Sequence, residues 1–90
     1  MATTIFDIIN SGVKNLYNVI SGDNPFKIVL VRCGGYYVTF GTDAIDVKMA
    51  LKDDVNWFDF DMQVSLIEEK RLGELLPKLV RNSGYKVVIA

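Results

Sequence analysis

Residues 4–20, TIFDIINSGVKNLYNVI, return an apolar side chain at helical spacing, with Ile5, Ile8, Ile9, Val13, Leu16 and Ile20 on one stripe. Thr4 followed by Asp7 matches a capping box, and the carboxylate is favoured near the positive end of a helix. Gly22 fits the left-handed position that closes a helix, and DNP at 23–25 reads as a turn. The period then shortens. Residues 26–33, FKIVLVRC, are apolar on both alternating faces apart from Lys27 and Arg32, which suits a strand inside a sheet. Gly34-Gly35 fits a two-residue hairpin loop, because primed turns need positive φ and glycine supplies it without a steric cost. YYVTF at 36–40 is the return strand, with Tyr36, Val38 and Phe40 on one face and Tyr37 and Thr39 on the other.

Thr42 is placed to cap a short helix over DAIDVKMAL, with Asp43 in its first turn, and KDDVN is a polar loop. WFDFDMQV alternates next. Phe58, Phe60, Met62 and Val64 share one side, and Trp57, Asp59, Asp61 and Gln63 share the other, the pattern of a half-buried strand with a wet face. A third helix covers residues 69–82 on the stripe Leu72, Leu75, Leu76, Leu79 and Val80; Pro77, lacking an amide hydrogen, kinks it or delays its start. NSG ends that helix and YKVVIA is a last strand. The expected class is α+β: a mixed four-stranded sheet packed with three helices, in the order α-β-β-α-β-α-β, with right-handed crossovers. There is no internal repeat, linker or low-complexity tract, so residues 1–90 read as a single domain.

Charge and composition narrow the function more than the fold. The chain has 90 residues, half of them apolar, a net charge of −1 and a pI near 5.2. Non-specific nucleic-acid binders carry a basic surplus that displaces counterions from phosphates, so any DNA role rests on a local patch or on neighbouring chains. Histidine is absent, which removes the commonest general base, the Ser-His-Asp and Cys-His arrangements and most zinc sites. Cys33 is the single cysteine, so no internal disulfide or cysteine metal cluster forms, and a reduced, cytoplasmic setting fits. No stretch approaches a membrane span, and MATTIFDIIN lacks the positive start of a signal peptide.

Individual residues carry two readings each. Tyr36 and Tyr37 are ordinary β-formers or a ring pushed towards a partner. Arg32 reaches solvent along its own stem or contacts a phosphate. Cys33 reads as a small core residue. Asp53, Asp54, Asp59 and Asp61 offer paired carboxylates of the kind that hold Mg²⁺, but without the spacing of a third ligand or an activating lysine, and a solvated face accounts for them better. EEKR at 68–71 is a charged helix start. Trp57, on the polar side, is covered by a helix or is exposed as an interface anchor. No metal or cofactor is called for.

In order and register, KIVLVRCGGYYVTFGTDA resembles the segment of the DNA mismatch-repair protein MutS that runs strand, Arg, Gly-Asp-Phe-Tyr-Glu, then Phe and an Asp-Ala helix start. LLPKLVRNSGYKVVIA looks like the close of the same domain, and the likeness covers residues 12–90, nearly all of MutS domain I, the N-terminal mismatch-recognition domain. The resemblance implies an aromatic ring that wedges into the minor groove at a mispaired step and a glutamate two residues on that hydrogen-bonds the base; unstacking is cheap where pairing is already broken. Carried over, the ring is Tyr36, which keeps a face able to stack, and the glutamate is Val38, which cannot hydrogen-bond. Arg32 and Gly34 match the family, while Gly35 stands for its aspartate. The family's ATPase and clamp domains do not fit in ninety residues, and the Gly-Gly here lacks the Lys and Ser/Thr of a phosphate loop.

These features lead to the expectation of a non-enzymatic, MutS domain I-like module that contacts double-stranded DNA with a distorted or mismatched step through Arg32, Gly34, Gly35, Tyr36 and Tyr37. A stand-alone copy of one repair domain suits a phage or mobile element. The alternative is a protein-interaction or virion-structural module that keeps the fold without DNA recognition, with the terminal strand pairing to a partner or to a second copy if it lies at a sheet edge. A small hydrolase ranks third, for want of any nucleophile–base pair.

Overall fold

Gly34 and Gly35 adopt φ of 57° and 83°, the two successive left-handed conformations that a two-residue primed turn requires. The turn joins β1 (Ile28–Cys33) to β2 (Tyr36–Phe40) as an antiparallel hairpin in which Cys33 faces Tyr36 and Val31 faces Val38. The computed structural model describes residues 12–59 and 62–90. The capping box at Thr4 and Asp7, the apolar positions Ile5, Ile8 and Ile9, and Phe60 and Asp61 lie outside the described residues.

Before the hairpin runs α1 (Val13–Asp23), and after it α2 (Gly41–Leu51). A single 3-10 turn leads from α2 to β3 (Asn56–Asp59), followed by β4 (Gln63–Glu68). A second 3-10 turn opens α3 (Leu72–Pro77), which widens into a π turn over Lys78–Asn82 before β5 (Val87–Ile89). The sheet has five strands, not four, in the order β3-β4-β2-β1-β5, with β5 parallel to β1 and the other pairs antiparallel.

The extra strand comes from splitting WFDFDMQV. Phe58 pairs with Val64 and Asp59 with Gln63, so the chain reverses between them. Residues 58 and 64 share a face on either side of that reversal, as they would in one straight strand. Of the described residues on the expected wet face, Asp59 is exposed and Trp57 and Gln63 are half-buried; farther along β4 the odd-numbered face is closed. Ser65 and Ile67 are fully buried, and the Ser65 hydroxyl donates to the Ala44 carbonyl of α2 at 2.8 Å. Trp57 sits opposite Ser65 on this helix-covered side, half-buried.

Two apolar clusters flank the sheet. Val29 and Val31 of β1, Val38 and Phe40 of β2, and Val64 and Leu66 of β4 meet Val13 and Tyr17 of α1 on one face. On the other face, Ile28, Leu30 and Ile67 meet Val47 and Leu51 of α2 and Leu75 and Leu79 around α3. Full burial of each such aliphatic side chain contributes about 1.5–3 kcal/mol. The α1 stripe is Val13, Tyr17 and Ile20, whereas Leu16 points outward at 49 % exposure. Gly22 lies inside α1, and Asn24 closes the helix instead, its side-chain amide donating to the Ile20 carbonyl at 2.9 Å. Helix α2 starts one residue before Thr42, which makes no capping bond. Pro77 ends the regular α-helical turns, and the π turn follows it directly, as expected where an amide hydrogen is missing.

Candidate nucleic-acid interface

All five residues that the sequence marks for DNA contact fall at one end of the β1–β2 hairpin. Arg32 is the penultimate residue of β1, Gly34 and Gly35 make the turn, and Tyr36 and Tyr37 open β2. Alternation sends the two tyrosines to opposite faces. Tyr36 packs against the cluster beneath α1 and Tyr37 against the cluster beneath α2 and α3, and both remain half-exposed. Neither ring is sealed in the core, and neither stands free of it.

Strand β4 and the turn after it bring Glu68, Glu69 and Lys70 to this end as well. Glu68 is the register partner of Tyr36, and the Glu69 amide donates to the Gly35 carbonyl at 3.0 Å, tying the turn to the next loop. Arg32 Nη2 lies 2.7 Å from Glu69 Oε1, and Lys70 Nζ lies 3.6 Å from Glu68 Oε2. Two cations and two carboxylates therefore share the tip. The Arg32 side chain is 64 % exposed, and pairs of this kind contribute at most about 1 kcal/mol, so the guanidinium can exchange its carboxylate for a phosphate at small cost. The signal for Glu68 is in the sequence, because the strand pattern of QVSLIE runs on past Val64; reading EEKR as a helix start conceals it.

Val38, two residues after Tyr36, is fully buried in the cluster under α1. Its position has an apolar, solvent-excluded surrounding, and a hydrogen bond to a base is not available from it. Cys33 is half-buried against the same cluster.

The opposite end of the two strands is closed by a different kind of chemistry. The Tyr17 hydroxyl lies 2.6 Å from Asp43 Oδ2 and 3.0 Å from the Phe40 carbonyl oxygen, and with one proton it donates to one of them at a time. Asp43 Oδ2 also accepts from the Val29 amide at 3.3 Å. The Tyr17 ring meets Phe40 edge-on, centroids 5.3 Å apart. Burial, then the adjacent carboxylate, hold the Tyr17 proton well above the ordinary phenol range.

Elsewhere, Asp54 accepts from Arg71 at 3.0 Å and from Lys78 at 3.3 Å, and these bonds hold its carboxyl below the usual range. Among the described residues no group of three or more His, Cys, Asp or Glu is placed to hold a metal ion, and no helix is long and apolar enough to cross a membrane.

The family model for MutS domain I matches residues 11–90, almost the whole chain. The chain belongs to the MutS domain I family. No curated protein sequence matches it. MutS domain I is a recognition domain rather than a catalytic one, and the match spans every element described above, from α1 to β5.

Proposed function

We propose that this MutS domain I protein is a non-catalytic module that contacts double-stranded DNA at a distorted or mismatched step through its hairpin tip. The observation that carries the reading is the placement of Tyr36, half-exposed at the end of a strand that a two-glycine turn terminates. An aromatic ring in that position can stack on an unstacked base, and mispaired or bulged steps are the ones cheapest to open. Arg32 supplies the phosphate contact, with Gly34 and Gly35 letting backbone approach the groove closely. With Val38 buried, discrimination rests on stacking and on the deformability of the duplex rather than on a carboxylate reading a base edge. The balanced charge at the tip makes binding weak and, with few phosphates neutralised, only shallowly salt-dependent.

Titration of fluorescently labelled matched, mismatched and bulged duplexes at low salt tests this. Tighter binding to the mismatched and bulged duplexes is the expected result. No association at tens of micromolar, where non-specific binders of roughly 10⁻⁴–10⁻⁶ M already bind, removes DNA contact as the function and leaves a module that binds protein.

A further inference from the structure

Phe26 breaks two local rules at once. Its φ of 68° lies in the left-handed region that glycine or asparagine normally fills, and its side chain is fully exposed, at 101 %. The turn that presents it, residues 24–27, is firmly held. The Lys27 amide donates to the Asn24 carbonyl at 3.3 Å, with Pro25 second and Phe26 third, the position where positive φ is required. Asn24 is anchored in turn, its amide on the Ser21 carbonyl at 3.2 Å and its side chain on the Ile20 carbonyl at 2.9 Å. Glycine at position 26 would make the same turn without strain and without an apolar ring in water. The fold gains nothing from this ring, and residues that break local rules without a packing partner mark sites of function.

Two lysines stand next to it. Ile28 lies beside Val87 at the start of the parallel β1–β5 ladder, and the Ile28 amide donates to the Lys86 carbonyl at 2.8 Å, so Lys27 and Lys86 are neighbours across the two strands. Both are exposed, and among the described residues neither has an ion pair. At the hairpin tip and around α3 the cations are matched instead: Arg32 by Glu69, Lys70 by Glu68, and Arg71 and Lys78 by Asp54. Asp23, at the end of α1, is exposed and pairs with neither lysine. A rigidly presented ring beside two uncommitted cations suits a ligand that has both a flat aromatic face and negative charge.

We propose that the turn at residues 24–27 is a nucleic-acid contact separate from the hairpin, one that takes a single strand: Phe26 stacks on a base while Lys27 and Lys86 meet neighbouring phosphates. A duplex keeps its base faces covered, so a ring on a tight turn finds its stacking partner in an unpaired strand. Every base has such a face, and little sequence preference is expected. The six residues of β1 put about 20 Å between this turn and the two-glycine tip, so the two contacts act independently and this inference does not rest on the mismatch reading.

Fluorescence anisotropy of a labelled oligothymidylate of about twelve nucleotides, titrated with the whole chain at low salt, tests it. The expected result is saturable binding that Phe26→Gly weakens about tenfold and Phe26→Trp retains. Stability separates a contact from a structural role: Phe26→Gly should leave the urea midpoint unchanged or raised, because the strain leaves with the ring. Lys27→Gln and Lys86→Gln should each lower the slope of log affinity against log salt by about 0.7. Tyr36→Ala should bind the oligonucleotide as the parent does. No binding at about 100 µM overturns the proposal and leaves Phe26 as an anchor for a protein partner. A Phe26→Gly variant that binds as tightly as the parent also overturns it, and binding that Tyr36→Ala abolishes places the strand at the hairpin and contradicts it.

Discussion

At one end of the β1–β2 ladder, Tyr17, Asp43 and the backbone of Val29 and Phe40 close into a largely buried hydrogen-bonded knot; at the other, Gly34 and Gly35 turn the chain among side chains that reach water. The same two strands serve both ends. The knot joins α1, β1, β2 and the start of α2, so its loss is felt across the whole cluster beneath α1. The tip is held by one backbone bond from Glu69 and by ion pairs on the surface, and little of the fold depends on it. The difference teaches where change is tolerated: the tip side chains are free to serve a contact, while the knot fixes the strands that present them.

Tyr17→Ala should show the contrast most strongly. It removes a buried ring packed edge-on against Phe40 and takes from Asp43 its shortest hydrogen bond, for an expected loss of about 3–5 kcal/mol in urea denaturation. Against the roughly 5–14 kcal/mol expected of a domain this size, that leaves a chain close to unfolding. Tyr17→Phe keeps the ring and loses only the hydroxyl, and should cost about 1–2 kcal/mol. It should also change the response to alkali. In the folded protein Tyr17 holds its proton well above the ordinary value of 10.0, whereas in the unfolded chain it ionises near that value. The stability this contributes is complete below pH 10 and declines as the pH rises beyond it, a decline that Tyr17→Phe should flatten when unfolding is followed from pH 8 upward.

Substitutions at the tip should cost less. Gly35→Ala meets no atom within 4 Å but keeps a φ of +83°, so the cost is the left-handed backbone alone, about 1–2 kcal/mol in the same denaturation assay. Arg32→Ala should move stability by no more than about 0.5 kcal/mol, because its pair with Glu69 is exposed, yet lower the slope of log affinity against log salt for DNA by about one unit.

The hairpin was legible in the sequence because its signal is local: two glycines between runs of period 2, with the faces of β2 set by alternation. The fifth strand was not. The reversal between Asp59 and Gln63 leaves Phe58 and Val64 paired on one face, so periodicity alone does not distinguish a hairpin from a straight strand. Tyr17 was hidden for another reason. The aliphatic spacing of α1 favours Leu16, but Phe40 and Asp43, more than twenty residues away, offer the ring and hydroxyl of Tyr17 better partners. Likewise, Thr42 has the chemistry of a cap, while the helix begins at Gly41 and Asp43 turns to Tyr17 instead. Of the tip, Arg32, Gly34, Gly35, Tyr36 and Tyr37 were marked by residue type and family likeness, whereas Glu68 and Glu69 arrive through β4, whose register no local pattern specifies.

The central claim is that Tyr36 at the tip, rather than the domain as a whole, senses a weakened base step. The most direct test is the ratio of affinities for a mismatched and a matched duplex, measured side by side for the parent, Tyr36→Ala and Tyr17→Phe. The account predicts that Tyr36→Ala brings the ratio to one while the protein stays folded, with a smaller stability loss than Tyr17→Ala, and that Tyr17→Phe lowers stability and leaves the ratio unchanged. A Tyr36→Ala protein that still prefers the mismatched duplex would contradict it.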